Sequence, residues 1–216
     1  MNEHSFITAD KEKRMVDPAQ NSVNPDKYHR ILEAAIGVFA EQGFFNATVS
    51  KIARAAGVAD GTIYLYFKNK NDILLHFFNY KTKEVFGTFR HEVDKGGNAR
   101  EKLRNLIKAH LREFQKDRNM AVVFQAEARQ IRYFEVYIKD LTNMYFDLVG
   151  EIVVQGQEES VFRRGLDPSL VKRFILGTVD EVINTWLHAA RKYDLEAQAD
   201  AIVDLFVNGI GATPPK

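Results

Sequence analysis

The chain has 216 residues, 45% of them apolar and 27% charged, with a net charge of +1 and no cysteine. This composition predicts a folded, water-soluble core and excludes disulfide frameworks, thiolate metal sites and a polyanion-coating role carried by bulk charge. No apolar run approaches the roughly 18 residues that a membrane helix needs. Residues Met1 to Asn21 mix charges without the apolar segment of an export signal, so 1–24 is expected to be a disordered tail.

From Asn24 onward the pattern predicts helix after helix, with no sustained period-2 alternation. Asn24-Pro25 opens the first helix as N-cap and first-turn proline, and Ile31, Leu32, Ala35, Phe39 and Ala40 form its apolar stripe. Gly43 ends it. Thr48 caps a short second helix that Gly57 ends. Gly57-Val58-Ala59 turns into a third, from about Asp60 to Phe67. Asn69, with Asp72 in the capping-box position, opens a long fourth helix that Gly96-Gly97 breaks. A fifth starts at Asn98 and runs to about Lys116. A sixth spans about Met120 to Arg129, and a seventh about Tyr133 to Glu158. Asp167-Pro168 opens an eighth reaching about Lys192, and Asp194 a ninth ending near Gly209, with a tail at 211–216. The expected fold class is therefore all-α, with nine helices.

The segment Thr48 to Lys70, TVSKIARAAGVADGTIYLYFKNK, carries the chemistry. Two short helices joined by a glycine-containing turn form a helix-turn-helix. Ile52, Ala53, Ala56, Val58, Ile63 and Phe67 can share one small core with Phe39. Burying Ile63 and Phe67 turns Asp60, Gly61, Thr62, Tyr64 and Tyr66 outward, as a major-groove reading face requires. Gly61 permits close backbone approach, and Thr62 and Tyr64 suit base edges. Thr48, Lys51 and Tyr66 suit phosphate oxygens, and Lys70 adds its charge to a helix N-terminus. Asp60 would place a negative charge near phosphate, so its part is selectivity, for an exposed cytosine amino group. Between Pro25 and Lys70 the basic side chains slightly outnumber the acidic ones.

This segment resembles the signature of the TetR family: a Thr-capped helix, a Gly-Val turn, and an aromatic-rich recognition helix before Phe-x-Asn-Lys. The resemblance spans about residues 25 to 75. Ala59-Asp60 stands where many members have Ser before the recognition helix. The implied organisation is a helix-turn-helix domain at 25–71 and a ligand-binding and dimerisation domain at 72–210. The implied partners are double-stranded operator DNA and a second copy of the chain. Leu170, Phe174, Thr178, Ile183 and Trp186, with Ile202, Leu205, Phe206 and Val207, are the expected dimer stripes.

Further stretches resemble the FadR-type fatty-acid regulators within that family: Gln125 to Gln130, Gly177 to Glu181, Thr185-Trp186 and Lys192 to Leu195. This resemblance implies a long-chain acyl-CoA effector and no cofactor. Phe86, Phe89, Phe114, Phe124, Tyr145 and Phe146 are the expected apolar lining. Arg129 and Arg132, then Arg112 and Arg118, are the expected cations for the CoA phosphates. The expected function is cytoplasmic transcriptional repression released by that ligand. Two rivals are a repressor of a multidrug efflux system with a promiscuous aromatic pocket, and a helical lipid carrier with no DNA role. An enzyme is not expected: the six histidines form no metal-spaced pair, and neither a phosphate loop nor a nucleophile elbow occurs. His110 and His188 read as satisfied helix histidines.

Overall fold

The computed structural model describes residues 24–127 and 135–209. The expected tails and the expected cations Arg129 and Arg132 lie outside these residues, apart from Asn24. Among the described residues there are nine α-helices and no strand. They are α1 (Pro25–Gln42), α2 (Val49–Ala55), α3 (Asp60–Ile63), α4 (Lys70–Asp94), α5 (Ala99–Lys116), α6 (Arg118–Val122), α7 (Glu135–Glu158), α8 (Pro168–His188) and α9 (Ala199–Asn208). The chain divides into two compact units, Met1–Glu84 and Val85–Lys216. The expected division fell earlier, after Asn71. The first unit takes in the start of α4, where Ile73, Leu74 and Phe77 are buried and His76 contacts Tyr28 and Phe67.

The helix starts follow local capping chemistry. Asn24 Oδ1 accepts from Lys27 N at 2.9 Å, Asn98 Oδ1 from Glu101 N at 2.9 Å, and Asp167 Oδ1 from Ser169 N at 2.9 Å. At α4, Asn69 Oδ1 accepts from Asp72 N, and the Asp72 carboxylate reaches back to Lys68 N at 2.8 Å. Gly57 ends the α2 turn at φ +62°, a left-handed backbone that a side chain would strain.

Four helix limits differ from expectation. α3 stops at Ile63 and continues as a turn, with Tyr66 N and Phe67 N both donating to Ile63 O. α6 begins at Arg118 because Asp117 caps it, then widens into a π-helical turn, Val123–Glu127. α8 stops at His188, where Lys192 Nζ folds back onto the carbonyls of Trp186 and Leu187 at 2.6 and 2.9 Å. α9 begins only at Ala199, after a 3-10 turn at Glu196–Gln198 whose approach is held by Gln115 Oε1, accepting from Leu195 N and Glu196 N.

In the first unit α1 packs on α2, and α2 on α3. Ile31, Leu32, Phe39, Ile52, Ile63, Phe67 and Phe77 are all buried. Phe67 stacks on Tyr28 at 5.2 Å between ring centroids and meets His76 edge-on at the same distance. Tyr28 Oη and His76 Nδ1 share a 2.9 Å hydrogen bond. In the second unit α5 is central and touches α7, α8 and α9. Its buried stripe runs through Leu103, Leu106, Ile107, His110, Leu111 and Phe114. Arg104 pairs with Asp200 through two guanidinium nitrogens, tying α9 to α5, and Arg90 does the same with Glu151, tying α4 to α7.

Candidate nucleic-acid interface and aromatic cluster

α3 is a single turn of helix, too short to be stable alone. Tertiary contacts hold it. Ile63 and Phe67 are completely enclosed, and this turns the other side of the segment outward. Tyr64 is 60% and Leu65 75% exposed, Asp60 and Gly61 are exposed, and Thr62 and Tyr66 are half-buried. Thr48 and Lys51 are also exposed. Thr48 Oγ1 accepts from Lys51 N as the α2 cap, which leaves its O–H proton free to donate elsewhere. Lys51 Nζ donates to Gln42 Oε1.

Ala59 offers no side-chain cap to α3. Instead, Ser50 on α2 donates to the Asp60 carboxylate at the start of α3. Asp60 thus fastens one helix of the pair to the other, a role its sequence context did not disclose. A Cβ built at Gly61 meets nothing within 4 Å, so nothing inside the chain requires glycine there.

Lys70 is a correction. It is not a free cation at a helix N-terminus. Its Nζ donates to the carbonyls of Phe44, Phe45 and Ala47 at 2.8, 3.0 and 3.2 Å and lies 4.7 Å above the Phe44 ring. An ammonium has three protons, and all three are taken. Lys70 therefore ties the loop after α1 to the start of α4. Two exposed apolar residues beside this face were missed, Leu65 and Phe45 (69% exposed). An apolar residue between aromatics reads as core, but Leu65 lies two residues from both Ile63 and Phe67, on the side opposite that buried pair.

In the second unit Phe86, Phe89, Phe114, Phe124 and Tyr145, five of the six residues expected as an apolar lining, make ring contacts. Phe86 meets Phe89 at 5.4 Å, Phe89 meets Tyr145 at 6.1 Å, and Phe114 meets Phe124 at 5.8 Å. Three of them meet at His110, which lies 5.2 Å from Phe89, 4.9 Å from Phe114 and 5.3 Å from Tyr145. His110 is not the satisfied histidine expected. Its Nδ1 and the Tyr145 Oη are buried with no hydrogen-bond partner among the described residues. Each such group costs about 1–3 kcal/mol. Burial pulls the His110 imidazole down to about 3, and burial, with the Asp180 charge second, raises the Tyr145 phenol. Both are neutral. His188 is satisfied, its Nδ1 lying 2.8 Å from Asn184 O. Arg112 is engaged by Glu92, Glu113 and Glu196.

The expected dimer stripe splits in two. Ile183, Trp186 and Ile202 are buried in the unit's own core, a correction. On α8 the inward face is Ile175, Val179, Ile183 and Trp186, and a helical offset of one residue turns Leu170 and Phe174 away from it. Leu170 and Phe174 are each 63% exposed and Leu205 on α9 54%, and Phe174 meets Phe206 edge-on at 5.1 Å.

Comparison with known proteins agrees in both units. The family model described as bacterial regulatory proteins, tetR family, matches residues 31–77, and one described as YsiA-like protein, C-terminal region, matches 78–209. The chain is 39% identical over 185 residues to the fatty acid metabolism regulator protein of Bacillus subtilis, covering 85% of this chain and 95% of that protein. The structure of the fatty acid degradation regulator FadR from Bacillus halodurans superposes with a TM-score of 0.81 at 38% identity, covering 87% of this chain and 97% of that one. FadR from Bacillus subtilis in complex with stearoyl-CoA superposes with a TM-score of 0.79 at 38% identity, covering 85% and 100%. No helix among the described residues is long and apolar enough to cross a membrane. With both units matched and the likeness running along most of its length, this chain belongs to the TetR family of bacterial transcriptional regulators, DNA-binding proteins rather than enzymes.

Proposed function

We propose that the chain is a homodimeric cytoplasmic repressor of fatty-acid metabolism genes. It binds double-stranded operator DNA through the outward face of the α2–α3 pair and releases it when a long-chain fatty acyl-CoA binds the Val85–Lys216 unit. The observation that carries the DNA reading is the burial of Ile63 and Phe67, which projects Gly61, Thr62, Tyr64 and Leu65 outward. Thr62 and Tyr64 meet base edges, the Gly61 backbone approaches the groove wall, and Thr48, Lys51 and Tyr66 contact phosphates. Asp60, held by Ser50, fixes the start of this face, and Lys70 ties the loop after α1 to α4. Two copies, joined through Leu170, Phe174 and Leu205, set two heads about 34–36 Å apart, one turn of duplex.

The acyl-CoA reading is supported by the likeness to a FadR solved with stearoyl-CoA, which covers that entire chain. Phe86, Phe89, Phe114, Phe124 and Tyr145 then surround the acyl chain, and Arg129 and Arg132 meet the CoA phosphates. A ligand moves the equilibrium only through differential affinity, and a swing from 1:99 to 99:1 takes about 5.5 kcal/mol. Seven methylenes buried in one state and not the other supply that at about 0.8 kcal/mol each. The fatty-acid likeness over most of the chain favours this effector over the cationic drugs of an efflux repressor.

The test is to select bound fragments of the source genome with the purified protein and then titrate stearoyl-CoA into the complex. Release is expected at micromolar ligand. Indifference to every fragment removes the repressor reading, whereas tight DNA binding unchanged by saturating ligand removes only the effector.

A further inference from the structure

His110 on α5 and Tyr145 on α7 lie side by side at the centre of the second unit, with ring centroids 5.3 Å apart. They touch without a hydrogen bond. His110 Nδ1 and Tyr145 Oη are buried and without a hydrogen-bond partner among the described residues. Their surroundings are Phe89 against both rings and Phe114 against His110, with Phe124 beyond on the π-helical turn. Single π-helical turns of this kind recur at functional positions in helices. Leucine and phenylalanine would fill the same space with no unmet polar atom. Two adjacent unmet groups in one aromatic cluster therefore point to a partner that arrives from outside the chain.

The chemistry of the pair narrows that partner. A neutral imidazole carries one N–H and a phenol one O–H, so with the imidazole proton on Nδ1 the pair offers two donors to an acceptor oxygen placed between them. The burial that keeps His110 uncharged penalises a carboxylate in the same place, which favours a neutral carbonyl over a free fatty acid.

We propose that His110 Nδ1 and Tyr145 Oη form a binding subsite for the carbonyl oxygen of the acyl thioester, so that the effector is recognised at its thioester as well as along its chain. The proposal rests on the acyl-CoA reading above.

The experiment uses the full chain and two ligands of equal length, stearoyl-CoA and its thioether analogue S-octadecyl-CoA, in which a methylene replaces the carbonyl. Dissociation constants are measured by calorimetry for the wild type and for Tyr145→Phe, which loses a single oxygen. The wild type is expected to prefer the thioester about tenfold, the worth of one good hydrogen bond. Tyr145→Phe is expected to lose most of that preference, binding the thioester more weakly and the thioether unchanged. The free variant is expected to melt no lower than the wild type. Equal binding of both ligands by the wild type overturns this proposal alone, and needs no variant to fold. Equal weakening of both ligands in Tyr145→Phe also overturns it, since Tyr145 is then only a wall. If the wild type binds neither ligand, the acyl-CoA reading fails and takes the subsite with it.

Discussion

The Nζ of Lys70 lies 2.8 Å from the carbonyl oxygen of Phe44 and 4.7 Å above the same residue's ring, so one residue receives both a hydrogen bond and a cation–π contact from it. Lys70→Met removes both and leaves three carbonyls short of a donor. It is expected to destabilise the first unit by about 1.5–3 kcal/mol in urea titration. A phosphate contact at Lys70 would instead show as a drop of about 0.9 in the slope of log affinity against log salt. The expected result is lower stability with that slope unchanged.

Gly61 is exposed and its missing Cβ would meet nothing in the chain. Gly61→Ala is therefore expected to leave the free energy of unfolding unchanged or raise it by up to about 1 kcal/mol. Operator affinity is expected to fall at least tenfold, because the methyl occupies the space where backbone and duplex meet. Undiminished affinity in a gel-shift titration would place the reading face elsewhere.

Two histidines make the fold acid-sensitive. Burial lowers His76, against an opposing pull from the Asp72 carboxylate, and burial lowers His110 to about 3. Both folded-state values lie below the unfolded one, near 6.5. As pH drops through 6.5 the unfolded chain takes up protons that the folded chain refuses, so stability is full above 6.5 and declines below it. Each group contributes up to about 1.4 kcal/mol per pH unit. For His110 the decline continues to about pH 3. Urea unfolding between pH 7 and pH 5 is expected to show this loss. His110→Leu is expected to flatten it, and an equally steep curve in that variant would count against His110 as a source.

Phe174 and Leu205 stand exposed on adjacent helices. Phe174→Arg is expected to halve the mass seen by light scattering at micromolar concentration, with helical circular dichroism intact and operator binding weakened. An unchanged mass would move the dimer contact to another face.

Much of the architecture was readable because the signals are local. Asn24, Thr48, Asn98 and Asp167 cap the helices they precede, and each cap acts within three residues. The family signature added the expectation that this segment reads DNA. What escaped depends on distance along the chain or on choices that local pattern leaves open. Lys70 reaches carbonyls more than twenty residues earlier, and nothing beside it in sequence indicates this. Ile63 and Phe67 share a face whether the residues between them are helix or turn, so the length of α3 could not be read from them. The α8 stripe carried two apolar faces offset by one residue, and periodicity alone did not say which was core. His110 and Tyr145 become neighbours only when α5 and α7 pack.

The Ser50–Asp60 bond and the brevity of α3 have an evolutionary corollary. A one-turn reading tip braced by enclosed side chains and a single cross-link owes little of its shape to the residues it displays. If this tip reads operator DNA as proposed, the exposed Tyr64 and Leu65 are expected to be exchangeable at small thermodynamic cost, so that operator preference could change without loss of the scaffold beneath. Altering Ser50 would have the opposite character, since it removes the bond that fixes the start of the tip.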